Sequence, residues 1–186
     1  MPRLFDHDHR VDDLTSAAIH LLDTEGITAF TLRRIATVAR VSPSSVAAQL
    51  DNKERMTRLI THRISARLLD EIRYSIREHG PARLVPDDEL LPLVRSWLAM
   101  CELARGDDAL APVVAHVQEE EHRWLIQSAC RLAHDDRVGM DVLHSLVTGL
   151  WMARCARTDP MSYEDALNAL LHACRALGVP VDEAAA

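Results

Sequence analysis

The chain has almost no lysine: of its 21 basic residues only Lys53 is one, the rest being arginine, which is the usage of a GC-rich bacterial genome. Aromatic residues make up only 4 % of the sequence and glycines number six, while alanine, leucine and arginine abound. That balance argues against a β-rich fold and for helix throughout, so the expected class is all-α. Four cysteines, Cys101, Cys130, Cys155 and Cys174, stand singly with no CxxC pair. They exclude a cysteine-built metal site or disulfide scaffold, and are expected to be small buried residues in a reducing compartment. No apolar run approaches the ~20 residues that cross a bilayer, and the start, MPRLFDHDHR, lacks the apolar core of a signal peptide. The expectation is a cytoplasmic protein.

Catalytic signatures are also missing. There is no Ser-His-acid set and no phosphate loop, and the ten histidines are dispersed, so an enzyme is not expected. Asp6-His7-Asp8-His9 lies in a tail without a fixed shell behind it, and Glu119 and His122 give an ExxH spacing only once, where a two-metal bundle needs paired copies. No metal or cofactor is expected from either.

The chain also lacks a net positive charge. The formal total is −7, yet over residues 1–62 eight basic and eight acidic side chains cancel, so all the excess acid falls later. A neutral head on an acidic body is compatible with DNA binding, because phosphate contacts are decided within a Debye length of about 8–10 Å.

What is present centres on residues 30–55, FTLRRIATVARVSPSSVAAQLDNKER. Thr31 stands as N-cap before Leu32, Ile35, Ala36, Val38 and Ala39 at helical spacing, which gives a short helix over about 32–39. Arg40 and Val41 interrupt it, and Ser42-Pro43 starts a second helix over about 43–50, serine capping and proline at the first helical position. Two short helices joined by about three residues must cross, which is helix-turn-helix geometry with the second helix as reader. Val46 and Leu50 form its docking edge, while Ser44, Ser45, Ala48 and Gln49 face outward to reach phosphates or base edges. Lys53 begins the next helix, where free N–H groups and a lysine together suit a phosphate.

Around this core the chain reads as helices. The first, about 10–25, carries Leu14, Ala17, Ala18, Leu21 and Leu22 on one stripe and stops at Gly26. A long helix of about 53–79 repeats Met56, Leu59, Ile60, Ile64, Leu68, Ile72 and Ile76. After the linker at 80–88, further helices start at Asp87 or Asp88, at about 109, near Val117, at about 138 and at Ser162, about nine in all.

The sequence resembles the TetR family of transcriptional regulators. The resemblance is carried by residues 14–26 ending at Gly26, then Ile35-Ala36, Ala39, Val41-Ser42, and Lys53-Glu54 with Met56 and Leu59; it is close over about 10–64 and extends to the rest only in helical layout. It implies an N-terminal three-helix DNA-binding domain (1–55), a helical regulatory and dimerisation domain (56–186), and a homodimer on a palindromic operator. It implies further a repressor released by a small-molecule effector. The DNA-contacting candidates are Thr31, Arg33, Arg34, Arg40, Ser42, Pro43, Ser44, Ser45, Ala47, Ala48, Gln49 and Lys53. Large and soft side chains nominate an effector pocket of Trp97, Met100, Cys101, His116, Glu120, Trp124 and Trp151. The last two helices are too apolar for burial on one side, and so resemble the family's four-helix dimer interface; Leu143, Leu146, Val147, Leu150, Arg154, Leu167, Leu170, Leu171 and Cys174 are its candidates.

The chain departs from the family pattern at the reading head. Arg40 and Ser44 stand where glycine is common, Ala47 where a phosphate-binding tyrosine is usual, and Leu50 where phenylalanine is usual. A left-handed turn at Arg40 would cost roughly 1–2 kcal/mol. An alternative therefore stands beside the regulator: a protein of the same fold with weakened DNA reading that acts by pairing with another protein.

Overall fold

A computed structural model describes residues 3–42, 44, 46, 53–131 and 136–180, without the side chains of 3–9, 75, 77–79, 120 and 121. The described residues form α-helices and no strand. In order these are α1 (Arg3–Thr24), α2 (Leu32–Val38), α3 (Lys53–His79), α4 (Leu91–Ala104), α5 (Ala111–His116), α6 (Arg123–Cys130), α7 (Arg137–Arg154) and α8 (Tyr163–Ala176). Ser44 and Val46 are helical as well, within the stretch read as the second helix of the helix-turn-helix. Short 3-10 turns occupy Ile27–Ala29 and Gly80–Leu84, and a π turn occupies Val117–His122.

Local chemistry sets most boundaries. Nothing between Arg3 and Arg10 breaks a helix, so α1 begins a full two turns before the apolar stripe that announces it. It ends at Gly26, whose φ of 80° suits only glycine, with Gly26 N–H bonded to Leu21 O at 3.1 Å. Thr31 caps α2 by accepting from Arg34 N–H, Asp136 caps α7 by accepting from Gly139 N–H, and Ser162 caps α8 by accepting from Asp165 N–H.

The chain divides into two compact units, Met1–Arg67 with Arg95–Ala115, and Leu68–Val94 with His116–Ala186. The division differs from the break at residue 55 read from sequence, because α3 contributes to both. Its first turns bury Met56, Ile60 and Ile64 in the first unit, where Arg67 reaches Ser16 Oγ at 3.1 Å and Asp12 O at 3.2 Å. Most of α4 belongs there too, since Arg95 pairs with Asp23 at 2.7 Å and Ser96 Oγ donates to Ile19 O.

In the second unit, α7 is tied to the segment before α4 by two buried side chains. Trp151 Nε1 donates to Leu84 O at 2.7 Å. Arg154 donates to Pro86 O at 3.2 Å, Met161 O at 2.8 Å and Asp88 Oδ1 at 2.7 Å, with its guanidinium 5.9 Å from the Tyr163 ring centre.

The π turn corrects one expectation. A single α-helix was read from Val117 onward, whereas the backbone widens by about one residue per turn over Val117–His122 before α6 resumes a 3.6 period. Val117 and His122, five apart, are both buried, and Leu125 and Ile126 continue that face. Trp124 is thereby turned outward and is 53 % exposed.

Candidate functional site

The candidate helix-turn-helix is described through one capped helix and one strained residue. α2 buries Ile35 and Ala36 against the first unit and leaves Arg33, Arg34 and Thr37 outside. The turn then passes through Arg40 at φ 57°, the left-handed conformation for which glycine is the usual residue. Val41 N–H closes the turn onto Ala36 O at 2.9 Å, and Val46 N–H donates to Ser42 O at 3.2 Å, the first helical bond beyond it. Val46 is 2 % exposed, whereas Ser42 and Ser44 are exposed, their hydroxyls 3.1 Å apart. A docking edge and a polar outer face thus coexist on the start of the second helix.

Of the candidate DNA contacts, Thr31, Arg33, Arg40, Ser42, Ser44 and Lys53 are all exposed, and Lys53 is the first residue of α3. Arg34 is exposed too, but its guanidinium is gripped by both carboxylate oxygens of Glu25. A phosphate would have to compete with that pair. Pro43, Ser45, Ala47, Ala48 and Gln49 lie outside the described residues.

The effector candidates do not form one group. Trp97 and Met100 are fully buried in the core of the first unit, beside the half-buried Cys101, whose thiol burial pushes up to about 12. His116 and Trp124 are exposed, and the side chain of Glu120 lies outside the described residues. Trp151 lines a narrow cavity. A period of 3.6 carried through 117–124 points Trp124 inward; the π turn places His122 and Ile126 on that face instead.

That cavity lies in the second unit, bounded by Leu84, His122, Leu125, Ile126, His144, Val147, Thr148 and Trp151. It is narrow, with about 10 Å³ of room, roughly one water-sized sphere. His122 is 6 % exposed and meets Trp151 edge-on with ring centres 5.3 Å apart, and the His144 ring centre is 6.5 Å away. Burial holds His122 down at about 4, helped by repulsion from His144. Burial also lowers His144, with the Arg123 guanidinium adding to it and the Asp141 carboxylate opposing. Both imidazoles are therefore neutral at pH 7. His144 Nε2 is buried and has no hydrogen-bond partner. Sequence reasoning nominated neither histidine for this site; an i to i+5 apolar step was the signal that would have found His122.

A wider open cleft of about 350 Å³ lies between α3 and the segment leading into α4, lined by Glu71, Ile72, Arg83, Val85, Asp87, Glu89, Leu90 and Leu93. Its half-buried carboxylate, Asp87, is already engaged by Arg83 at 2.9 Å and by Leu90 N–H at 3.0 Å.

The interface candidates resolve into two faces of α7. Leu143, Val147, Leu150 and Arg154 are buried within the chain, as are Leu170, Leu171 and Cys174 of α8; Leu146 and Leu167 are half-buried. The outward face of α7 instead carries Val138, Val142, Ser145, Gly149 and Met152, at steps of four, three, four and three. Val138 is 75 %, Val142 46 % and Met152 61 % exposed, and open space surrounds Gly149. Among the described residues no group of three or more His, Cys, Asp or Glu could hold a metal, and no helix is long and apolar enough to cross a membrane.

No family model matches the sequence, and no curated protein matches it either. Solved structures do match in fold. A transcriptional regulator from Rhodococcus sp. Rha1 superposes with a TM-score of 0.78 at 18 % identity, over 92 % of this chain and 98 % of its own. A TetR transcription regulator from Haloarcula marismortui gives 0.69 at 18 % identity, over 91 % and 98 %. The multidrug binding protein EbrR in complex with ethidium gives 0.57 at 19 % identity, over 92 % and 99 %.

Proposed function

We propose that this chain, which has the fold of the TetR-family transcriptional regulators, is a dimeric DNA-binding regulator: a repressor that binds a palindromic operator and is released by a small molecule. The observation that carries the reading is the turn at Arg40. A non-glycine residue held at φ 57° between a Thr31-capped helix and the helical start at Ser42 is a conformation with a cost, and it serves to cross two short helices. The exposed hydroxyls of Ser42 and Ser44 and the cations Arg33, Arg40 and Lys53 supply groups for phosphates and base edges. Pairing through the outward face of α7 would set two heads about one helical turn of DNA apart, or a longer in-phase distance. The effector acts by binding one head spacing better than the other, since equal affinity shifts nothing. A fold shared with a multidrug binding protein crystallised with ethidium supports a small-molecule role.

The test is selection of bound sequences from random duplex DNA by the purified protein, followed by a salt titration on the best binder. The regulator predicts an enriched palindrome and a log–log salt slope of about −0.9 per phosphate neutralised. A folded dimer that enriches nothing at low salt overturns it in favour of a protein that works by pairing with another regulator, a reading to which the Arg34–Glu25 pair lends weight.

A further inference from the structure

We infer that the effector enters the cavity between α6 and α7, and that it is a small uncharged molecule with an apolar ring and one hydrogen-bond donor, of the phenol class. The inference rests on the effector reading above and names the ligand chemistry of that site.

Charge narrows the choice first. Among the described residues no carboxylate, lysine or arginine lines the cavity, and the charges that act on His144, Arg123 and Asp141, are paired with each other at 2.7 Å, which favours a guest without charge. Leu84, Leu125, Ile126 and Val147 supply apolar walls. The Trp151 N–H is held by Leu84 O. His144 Nε2 is a buried nitrogen with no partner. In the Nδ1–H tautomer of the neutral imidazole Nε2 is the acceptor, and leaving it unmet in an apolar site is unfavourable. A guest that brings a single O–H or N–H removes that cost; one that brings none does not.

Size then points to a coupling. The closed space holds about one water, so a ring can enter only if a wall moves. His122 is the wall at the end of the π turn, the stretch whose backbone already carries about one residue too many per turn. Return of that turn to α geometry would rotate His122 by about 100° relative to the residues before Val117. The chain enters this unit from the first at 115–116, immediately before the turn. A guest that displaces His122 therefore acts next to one of the three points at which the chain passes between the two units, the others being 67–68 and 94–95.

The experiment titrates phenol and, separately, anisole, its methyl ether without the donor, into the full-length protein, followed by calorimetry and by the imidazole 15N resonances of labelled histidine. Phenol is expected to saturate, to shift the His144 Nε2 resonance, and to bind at least about tenfold more tightly than anisole. His144→Phe is expected to erase the preference. Equal affinity for the two probes, or saturation by neither, overturns the inference, and the wild-type resonances give that answer even where the variant does not fold. Operator binding is measured in parallel. DNA binding without phenol binding overturns this inference and leaves the regulator standing, whereas phenol binding without DNA binding overturns the regulator and leaves the cavity.

Discussion

Arg40 shows how one residue can be read from sequence and still hold a conflict. Its place in the turn identified it as a left-handed candidate, and the backbone adopts φ 57° there. Arg40→Gly relieves roughly 1–2 kcal/mol of strain but loosens the unfolded chain, so a net stabilisation of up to about 1 kcal/mol is expected in urea unfolding. If the guanidinium meets a phosphate, the same variant loses operator affinity and its salt slope falls by about 0.9. Stabilisation with an unchanged slope would show that Arg40 does nothing on DNA. His122 was not legible as a site residue, since a lone histidine after three glutamates reads as solvated surface. Its burial has a pH consequence. The folded state holds it near 4 against 6.5 in the unfolded chain, so the unfolded state binds more protons between those values. Stability contributed by the neutral ring is complete above about pH 6.5 and is lost as pH falls toward 4, by up to ~3 kcal/mol. His122→Phe should flatten the pH dependence of urea unfolding between pH 7 and 4.5; an unchanged dependence would place the titration elsewhere.

At the scale of elements, the caps were legible and the period was not. Thr31, Ser162 and Gly26 announce helix ends because each satisfies groups the helix itself leaves over, a local property of two or three residues. The π turn has no such signature. It is chosen by what the second unit buries, so an unbroken 3.6 period misplaced Trp124 and missed His122 and Ile126. Arg154 has partners that no local pattern shows. Near the end of an apolar helix it looked like an interface charge, yet it is 5 % exposed and donates to two carbonyls and a carboxylate of its own chain. Arg154→Ala strands Pro86 O and Met161 O without this donor and removes packing on Tyr163, and should destabilise by about 2–3 kcal/mol. Arg154→Lys should recover only part, since one ammonium cannot span all three acceptors. Asp88→Ala should cost under about 1 kcal/mol, because that carboxylate is 89 % exposed. Equal losses for Arg154→Ala and Asp88→Ala in chemical denaturation would mean that the ion pair, not the carbonyls, holds the joint.

The whole molecule is where burial separates residues that hydropathy groups together. Sequence pattern marked α7 and α8 as too apolar for one partner, and the excess has a definite side. Leu143, Val147 and Leu150 face the chain's own core, whereas Val138, Val142, Gly149 and Met152 face solvent at a spacing suited to a helical seam. Apolar groups of that size in a row, around a glycine with open space above it, gain most from a second copy of the same helix. Two substitutions separate the faces. Val142→Glu should yield a folded monomer in sedimentation, with helicity and midpoint near those of the wild type at low protein concentration, because Val142 is 46 % exposed in the single chain. Leu143→Glu, one residue away and 0 % exposed, should instead unfold the second unit. A monomer also loses the linkage between two heads, so Val142→Glu should bind a full palindrome no better than a half-site, a drop of about 100-fold or more. A Val142→Glu protein that remains dimeric and keeps full operator affinity would remove the outward face of α7 from the interface and return the assignment to α8.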